Sequence, residues 1–280
     1  MTLNRLLRWG AAIVAGILMT VTFTVILVPS REVEGIVERL LAREGYTFHA
    51  ARFGKAFPLG IAARGVTIAT DQGPVLQFDR ITARLALLPL LAGKVVLTGN
   101  AAVGPGRISC SYLPRHDGKG SVEARGIRLE DIPFFKTVAG ADIKGLLTVD
   151  ASFAGTGPRT SGQLRLEVKG ADVRGVVIGG TPLPDATYDT VRGMVRMGSG
   201  RATLDSFTLQ GADLYIRLKG DIPLATPPGA SPLNLTLELM PQPPFLDRQK
   251  LVFALLAKYL ATPGHYQLPI RGTLAKPLLQ

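Results

Sequence analysis

Residues 204–222, LDSFTLQGADLYIRLKGDI, alternate apolar and polar side chains on either side of a short polar segment. The apolar positions of this stretch are Phe207, Leu209, Leu214, Ile216 and Leu218. Alternation with a period of two is typical of strands that bury one face. The segment QGAD between the two runs is rich in turn-forming residues. The stretch therefore predicts a hairpin with one apolar face and one polar face.

The same alternation recurs through most of the chain from residue 46 onward. Its clearest further positions are Leu164, Leu166, Val168, Leu233, Leu235 and Leu237. We expect these residues and those of the opening hairpin to form an apolar core or groove. Regular strands separated by turns predict a mostly β fold over residues 46–280. The expected architecture is a long curved antiparallel sheet, either a half-open groove or a sandwich, with a few accessory helices.

Interruptions of the pattern predict bends and turns. The alternation slips at Asp79-Arg80 and at Asp205-Ser206, and such slips indicate β-bulges. The tripeptide GAD occurs at 140–142, 170–172 and 211–213, each time beside a period-two run. Because Gly and Asp favour turns, this tripeptide predicts one turn type that is used several times.

Three helices are expected beside the sheet. Residues 29–45 carry apolar positions at helical spacing, and Gly45 is suited to end this helix. A short helix is expected near Pro133. Residues from about 245 to 261 have a broad apolar face, but their charges make them a poor membrane span. We expect this last helix to lie across one end of the sheet.

Residues 9–28, WGAAIVAGILMTVTFTVILV, contain no charge. A helix needs about 20 apolar residues to cross a bilayer, and preceding arginines favour a cytoplasmic N-terminus. Residues 1–28 therefore predict a cytoplasmic stub and an uncleaved anchor in the inner membrane, with the bulk of the chain periplasmic. A cleaved signal peptide is the alternative, although its apolar region is usually only about 7–15 residues long. The expected anchor positions are Arg5, Arg8, Trp9, Ile13, Ile17, Phe23, Ile26 and Val28.

The chain is basic, with 32 Lys and Arg against 21 Asp and Glu and a net charge of +11. Such a surface favours anionic partners, for example lipid headgroups or acidic protein surfaces. No nucleic-acid-binding motif occurs, so no nucleic-acid partner is expected. The single cysteine, Cys110, excludes an internal disulfide bond. It shares a strand face with Ile108 and Tyr112, which predicts a buried structural thiol.

The sequence carries no catalytic constellation. The three histidines do not have metal-ligand spacing, and G-x-S-x-G, P-loop and C-x-x-C motifs do not occur. Residues 175–180, GVVIGG, predict a turn, because no strand-loop-helix unit surrounds them as a dinucleotide site requires. Asp185 and Asp189 are expected in a solvated loop, with binding of a cation as the alternative. We therefore expect a protein that is not an enzyme and that uses no metal or cofactor.

Several segments resemble a known family. They are VPSREVEGIVERLLAREGYTF at 28–48, FPLGIAARGVTI at 57–68, RLEDIPFFK at 128–136, GGTPLPDATYDTV at 179–191 and the C-terminal FLDRQKLVFALLA and GHYQLPIRGTLAKPLLQ. Together they resemble the type II secretion system protein N family, in its longer delta-proteobacterial-type form. More distantly, the chain is similar to AsmA-like proteins. These motifs are structural, and no active-site residue is carried over from either family.

The first resemblance implies a non-enzymatic inner-membrane accessory component of a type II secretion system. Its partners would be the inner membrane and other membrane or periplasmic components of that system. The second implies a periplasmic lipid-binding or lipid-transfer protein with an apolar groove, and phospholipid as a partner. In either case, an apolar sheet face must close on itself, be covered by helices, or bind an apolar ligand. The outward basic residues expected to meet anionic partners are Arg165, Lys169, Arg174, Arg196, Arg217 and Lys219.

Overall fold

The structure is a computed structural model. It describes residues 30–43, 45–57, 59–114, 118–138, 140–155, 160–225 and 228–280. The anchor expected within residues 1–28 lies outside the described residues. Among the residues that are described, no helix combines the length and the apolar character that a bilayer span needs.

The described chain is mostly β, with 63% of residues in strands. The strands are β1 (Thr47–Ala56), β2 (Gly60–Thr70), β3 (Gly73–Leu85), β4 (Leu97–Val103), β5 (Gly106–Leu113), β6 (Lys119–Arg128), β7 (Asp142–Ala154), β8 (Ser161–Arg174), β9 (Val177–Ile178), β10 (Thr181–Pro182), β11 (Ala186–Gly198), β12 (Arg201–Gln210), β13 (Leu214–Pro223), β14 (Asn234–Pro241), β15 (Leu260–Thr262), β16 (His265–Thr273) and β17 (Lys276–Leu279). One antiparallel sheet contains 15 of them, while β9 and β10 form a separate hairpin.

The sheet follows the order of the chain. Strands β1 to β7 each pair with the next strand in sequence, and the order continues from β8 through β11, β12, β13, β14 and β16. Because neighbouring strands are antiparallel, successive connections alternate between the two ends of the strands. We call the end at which β1 begins the proximal end and the end at which β1 finishes the distal end.

The helices are short. They are α1 (Ser30–Arg43), α2 (Leu87–Leu91), α3 (Phe134–Thr137), α4 (Pro243–Arg248) and α5 (Lys250–Leu255), with 3₁₀ turns at Leu129–Asp131, Pro228–Ala230 and Ala257–Tyr259. The prediction of a single helix from about 245 to 261 is wrong. Gln249 breaks it with φ −117° and ψ 37°, and its side-chain amide donates to the carbonyl oxygen of Asp185 at 2.7 Å.

Helix α1 confirms the helix expected before the sheet. Gly45 has φ 82°, and the amides of Gly45 and Tyr46 donate to the carbonyls of Ala42 and Leu41 at 3.1 and 3.0 Å. This is the Schellman arrangement, in which a residue with positive φ satisfies the last carbonyls of a helix. The helix packs against β1.

The predicted bulge at Asp205-Ser206 is confirmed, since the pairing of β12 with β13 shifts between Leu204 and Phe207. The bulge predicted at Asp79-Arg80 is wrong, because β2 and β3 keep one register through those residues. The bend lies in the facing strand, at Gly65, which has φ +56°. An irregularity in one strand therefore shifted the alternation of its neighbour.

Glycines within strands keep the apolar residues on one face. Gly65 lies between buried Ala63 and Val66, and Gly170 lies in the same way between Val168 and Ala171. Both glycines have positive φ, which a residue with a side chain adopts only with strain. The GAD tripeptide at 170–172 is thus part of β8 and not a hairpin turn, whereas the one at 211–213 joins β12 to β13 as expected.

Candidate functional site

The strand register aligns one residue per strand into a row that crosses the sheet. Directly paired residues point to the same face of a sheet. From β1 to β16 this central row is Phe53, Ala63, Ile81, Ala101, Ile108, Ala124, Val149, Leu166, Gly193, Phe207, Leu218, Leu237 and Leu268. Every member is apolar or glycine. The sheet therefore carries one continuous apolar face.

A second row lies two residues nearer the distal end, on the same face. Its members are Lys55, Ile61, Ala83, Gly99, Cys110, Val122, Ala151, Leu164, Val195, Leu204, Gly220, Leu235 and Ile270. Only Lys55, on the edge strand β1, is charged. The residues that alternate with these rows, such as Ser109, Glu123 and Arg165, point to the opposite face.

The apolar face is covered over β8 and β11 to β16, which we call the closed half. Its rows pack against Phe245, Phe253 and Leu256 from α4, α5 and the residue that follows. Phe253 also contacts the ring of Tyr266, with a centroid distance of 5.2 Å. Strand β17 also contacts β9 of the β9–β10 hairpin. These contacts give the closed half a packed interior.

The core residues expected from the sequence lie mainly in this closed half. Six of them are buried, namely Val168, Leu214, Ile216, Leu233, Leu235 and Leu237. Four are half-buried and pack against that core, namely Leu166, Phe207, Leu209 and Leu218. Leu164 is half-buried. On the opposite face Arg165 and Arg217 are exposed, as expected, and Thr236 is half-buried.

The apolar face is much less covered over β1 to β7, which we call the open half. Most members of the two rows there are half-buried, including Phe53, Ile81, Ile108 and Val122. A small buried cluster of Val103, Ala124 and Ile127 lies toward the proximal end. The main helix contacts with these strands, within the described residues, are those of α1 with β1 and of α3 with β3 and β7. The distal part of the open half therefore has no covering layer among the described residues.

Cys110 belongs to this uncovered part. We expected a buried thiol, but Cys110 is exposed. It does share a face with Ile108 and Tyr112, as the alternation predicted. The expectation failed because alternation shows which face a residue is on, whereas burial also depends on whether another layer covers that face.

Cross-strand ion pairs neutralise much of the opposite face. Arg196 and Asp205 approach to 2.6 Å, and Arg125 and Asp150 also approach to 2.6 Å. The hydrogen bond from each arginine lowers the pKa of its carboxyl partner. Of the basic residues expected to meet partners, Arg174, Arg196 and Lys219 are paired with carboxylates. These three side chains are therefore less available to bind an anionic partner than the sequence predicted.

An arginine row on the same outer face was not foreseen. Arg52 is paired with Arg64, and Arg64 with Arg80, so three like charges face one another on β1, β2 and β3. Arg107 continues the row beyond Ala102, which is paired with both Arg80 and Arg107. A depression of about 320 Å³ lies between Arg80 and Arg107. The arginine row is a surface suited to anions.

The described residues show no arrangement for metal chemistry, since they contain no group of three or more His, Cys, Asp or Glu side chains that fits an ion. Asp185 accepts a hydrogen bond from the amide of Gly175 at 2.8 Å. Asp189 is exposed, but it lies on β11 and not in the expected loop. Residues 175–180 contain β9 and the turn of the β9–β10 hairpin at Gly179 and Gly180, so the predicted turn is confirmed. No family model, curated protein or solved structure matches this chain.

Proposed function

We propose that this chain is a non-enzymatic, membrane-anchored protein whose β domain is a half-open groove that binds the acyl chains of a phospholipid. The observation that carries the proposal is the continuity of the apolar rows. They pass from the closed half, where they are packed, into the open half, where most of their members remain partly exposed. An apolar surface of this extent is unfavourable in water and marks a binding site.

The size of the open half suits an acyl chain. Strands in a sheet lie about 4.8 Å apart, so β1 to β7 span about 29 Å. The hydrocarbon core of a bilayer is about 30 Å thick. The face is therefore long enough for the full length of a lipid chain.

Small side chains form the floor of the open half. Its two rows contain Ala63, Ala83, Gly99, Ala101 and Ala151, whereas most members of the rows in the closed half are larger and are mainly leucines. Leucines fill the space above a sheet with their own side chains, but alanine and glycine leave that space for a ligand. Because the central strands are already paired on both edges, the ligand must bind through side-chain contact alone. A hydrocarbon chain meets that requirement without leaving polar groups unpaired.

Two neighbouring residues on opposite faces of β6 provide the test. Val122 is on the apolar face and Ser121 is on the outer face. We expect phospholipid to co-purify with the full-length protein in mild detergent, at a stoichiometry that mass spectrometry measures. Val122→Glu should remove that lipid, because the carboxylate would have to be buried against hydrocarbon, while Ser121→Glu should not. Equal lipid content in both variants, with the fold retained by circular dichroism, would contradict the proposal.

A second candidate function is the accessory role in a type II secretion system. It is supported by the sequence resemblance and by the arginine row, which suits an acidic protein surface. A deletion strain separates the two functions. Loss of exported enzymes with an intact envelope would support the secretion role. Normal export with a detergent-sensitive envelope would support lipid binding.

A further inference from the structure

The distal ends of β1 to β4 carry two large apolar side chains that remain in solvent. Phe57, in the turn between β1 and β2, is 82% exposed, and Leu88 of α2 is 81% exposed. The backbone joins the two connections, because the amide of Leu85 donates to the carbonyl oxygen of Leu59 at 2.8 Å. We call Phe57, Leu59 and residues 86–96 the distal tip. Neither exposed side chain contributes to the core of the domain.

The surroundings of the distal tip are positively charged. Residues 45–70 and 80–116 contain no Asp or Glu, so the distal ends of β1 to β4 and the two connections at the tip lack acidic side chains. Lys55, Arg84 and Lys94 are exposed at the distal end of the same strands. Exposed apolar residues flanked by basic ones are the combination that binds the interface of an anionic membrane.

We propose that the distal tip docks on an anionic phospholipid bilayer, with Phe57 and Leu88 inserted at the headgroup boundary. Charge decides between a bilayer and a purely apolar protein surface, because exposed Arg84 and Lys94 lie in a stretch of sequence without Asp or Glu and favour a dense layer of phosphates. The docking itself does not depend on the function proposed above.

The position of the tip also provides a path for an acyl chain into the open half, and this path rests on the proposed function. Leu85 and Leu97, at the distal ends of β3 and β4, are paired and continue the apolar face toward the tip. Tyr112 and Phe153 follow on the neighbouring strands, with their rings stacked at 6.4 Å. An acyl chain that leaves the bilayer at the tip would therefore meet apolar side chains along its path to the open half.

The test uses the full-length protein in neutral phosphatidylcholine nanodiscs. The variant Leu88→Cys, in a Cys110→Ser background, is labelled with a polarity-sensitive fluorophore, and acceptor vesicles are added. We expect a severalfold rise in fluorescence with vesicles of equal parts phosphatidylglycerol and phosphatidylcholine, and little change with phosphatidylcholine alone. Adding Arg84→Glu and Lys94→Glu should reduce the rise at least threefold. Phe57→Cys serves as a second labelling position with the same expectation.

The matched control is Leu251 of α5, which is 84% exposed and lies at the proximal end. A label at Leu251→Cys should not respond to the vesicles. An equal response at both positions, or none at Leu88 and Phe57 with anionic vesicles, would overturn the docking proposal. Val122→Glu distinguishes the two proposals, because it should abolish lipid co-purification while leaving the response at Leu88 intact.

Discussion

Arg64 on β2 lies directly opposite Arg80 on β3, and both guanidinium groups are exposed. Arg52 lies opposite Arg64 on its other side. Like charges in directly paired positions destabilise a sheet. The arginine row therefore destabilises the folded state, and an anion bound along it would reduce the repulsion.

Arg64→Glu should stabilise the protein, because it replaces two repulsive contacts with two attractive ones. We expect the free energy of unfolding to rise by roughly 0.2–1 kcal/mol. Urea denaturation measures the change, and added salt should reduce it because screening is strong beyond about 8–10 Å. Arg196→Glu is the control, since it breaks the pair with Asp205 and should lower stability. Destabilisation by both variants would show that the arginine row is not repulsive.

Core substitutions should lower the free energy of unfolding more in the closed half than in the open half. Leu239 is 0% exposed in the closed half, so Leu239→Ala should lower the free energy of unfolding by about 2–5 kcal/mol. Ile108→Ala, in the half-exposed open half, should cost less than about 1.5 kcal/mol because less apolar area is lost from contact. Denaturant midpoints of the two variants provide the measurement. Equal losses would mean that the open half is packed like the closed half.

The pair between Lys219 and Glu238 should matter although it lies on the outer face. Glu238 is only 5% exposed, so removing its partner leaves a buried carboxylate unpaired. Lys219→Met should therefore lower the free energy of unfolding by about 1–3 kcal/mol. Adding Glu238→Gln should recover part of that loss, because the buried charge is then absent. A double variant that is less stable than Lys219→Met would contradict this account.

Acid should weaken the protein through Asp150 and Asp205. Hydrogen bonds from Arg125 and Arg196 lower the pKa of these carboxyls below the ordinary value of 3.8. A carboxyl with a lower pKa in the folded state stabilises the fold above its ordinary pKa. This stabilisation is lost as the pH falls from that value through the folded pKa. The variant Asp150→Asn with Asp205→Asn should therefore show a flatter dependence of the urea midpoint on pH below about 4. An unchanged slope would assign the acid sensitivity to other groups.

The glycine bends can be tested at two neighbouring positions. A Cβ at Gly170 would meet nothing within 4 Å, so Gly170→Ala should cost only the strain of positive φ, about 1–2 kcal/mol. At Gly145 a Cβ would lie 2.7 Å from Cγ1 of Val168, so Gly145→Ala should cost more. Thermal denaturation ranks the two variants. The opposite order would show that the backbone at Gly145 relaxes easily.

The alternation of apolar and polar residues predicted much of this fold, because it depends only on the sequence of each strand. It identified the inward side chains of Ile216 and Leu235 and the bulge at Asp205-Ser206. It could not show that a layer covers Ile216 but not Cys110, because that layer comes from residues 243–256. Nor could it detect the arginine row, since Arg52, Arg64 and Arg80 become neighbours only through the strand register. The break at Gln249 likewise depends on its contact with Asp185, 64 residues away.

The sequential order of the strands has a consequence for how the molecule is assembled. From β1 to β8, neighbouring strands in the sheet are also neighbours in the sequence. A chain that emerges from its N-terminus can therefore add strands one after another to a growing sheet. Pairing between segments that are near in sequence is fast, because little chain entropy is lost in closing each hairpin. The residues that fill the closed half arrive last, with α4, α5 and β16. A chain truncated before β14 would form a sheet without its packed interior. We therefore expect such a chain to be more susceptible to proteolysis than the full-length protein.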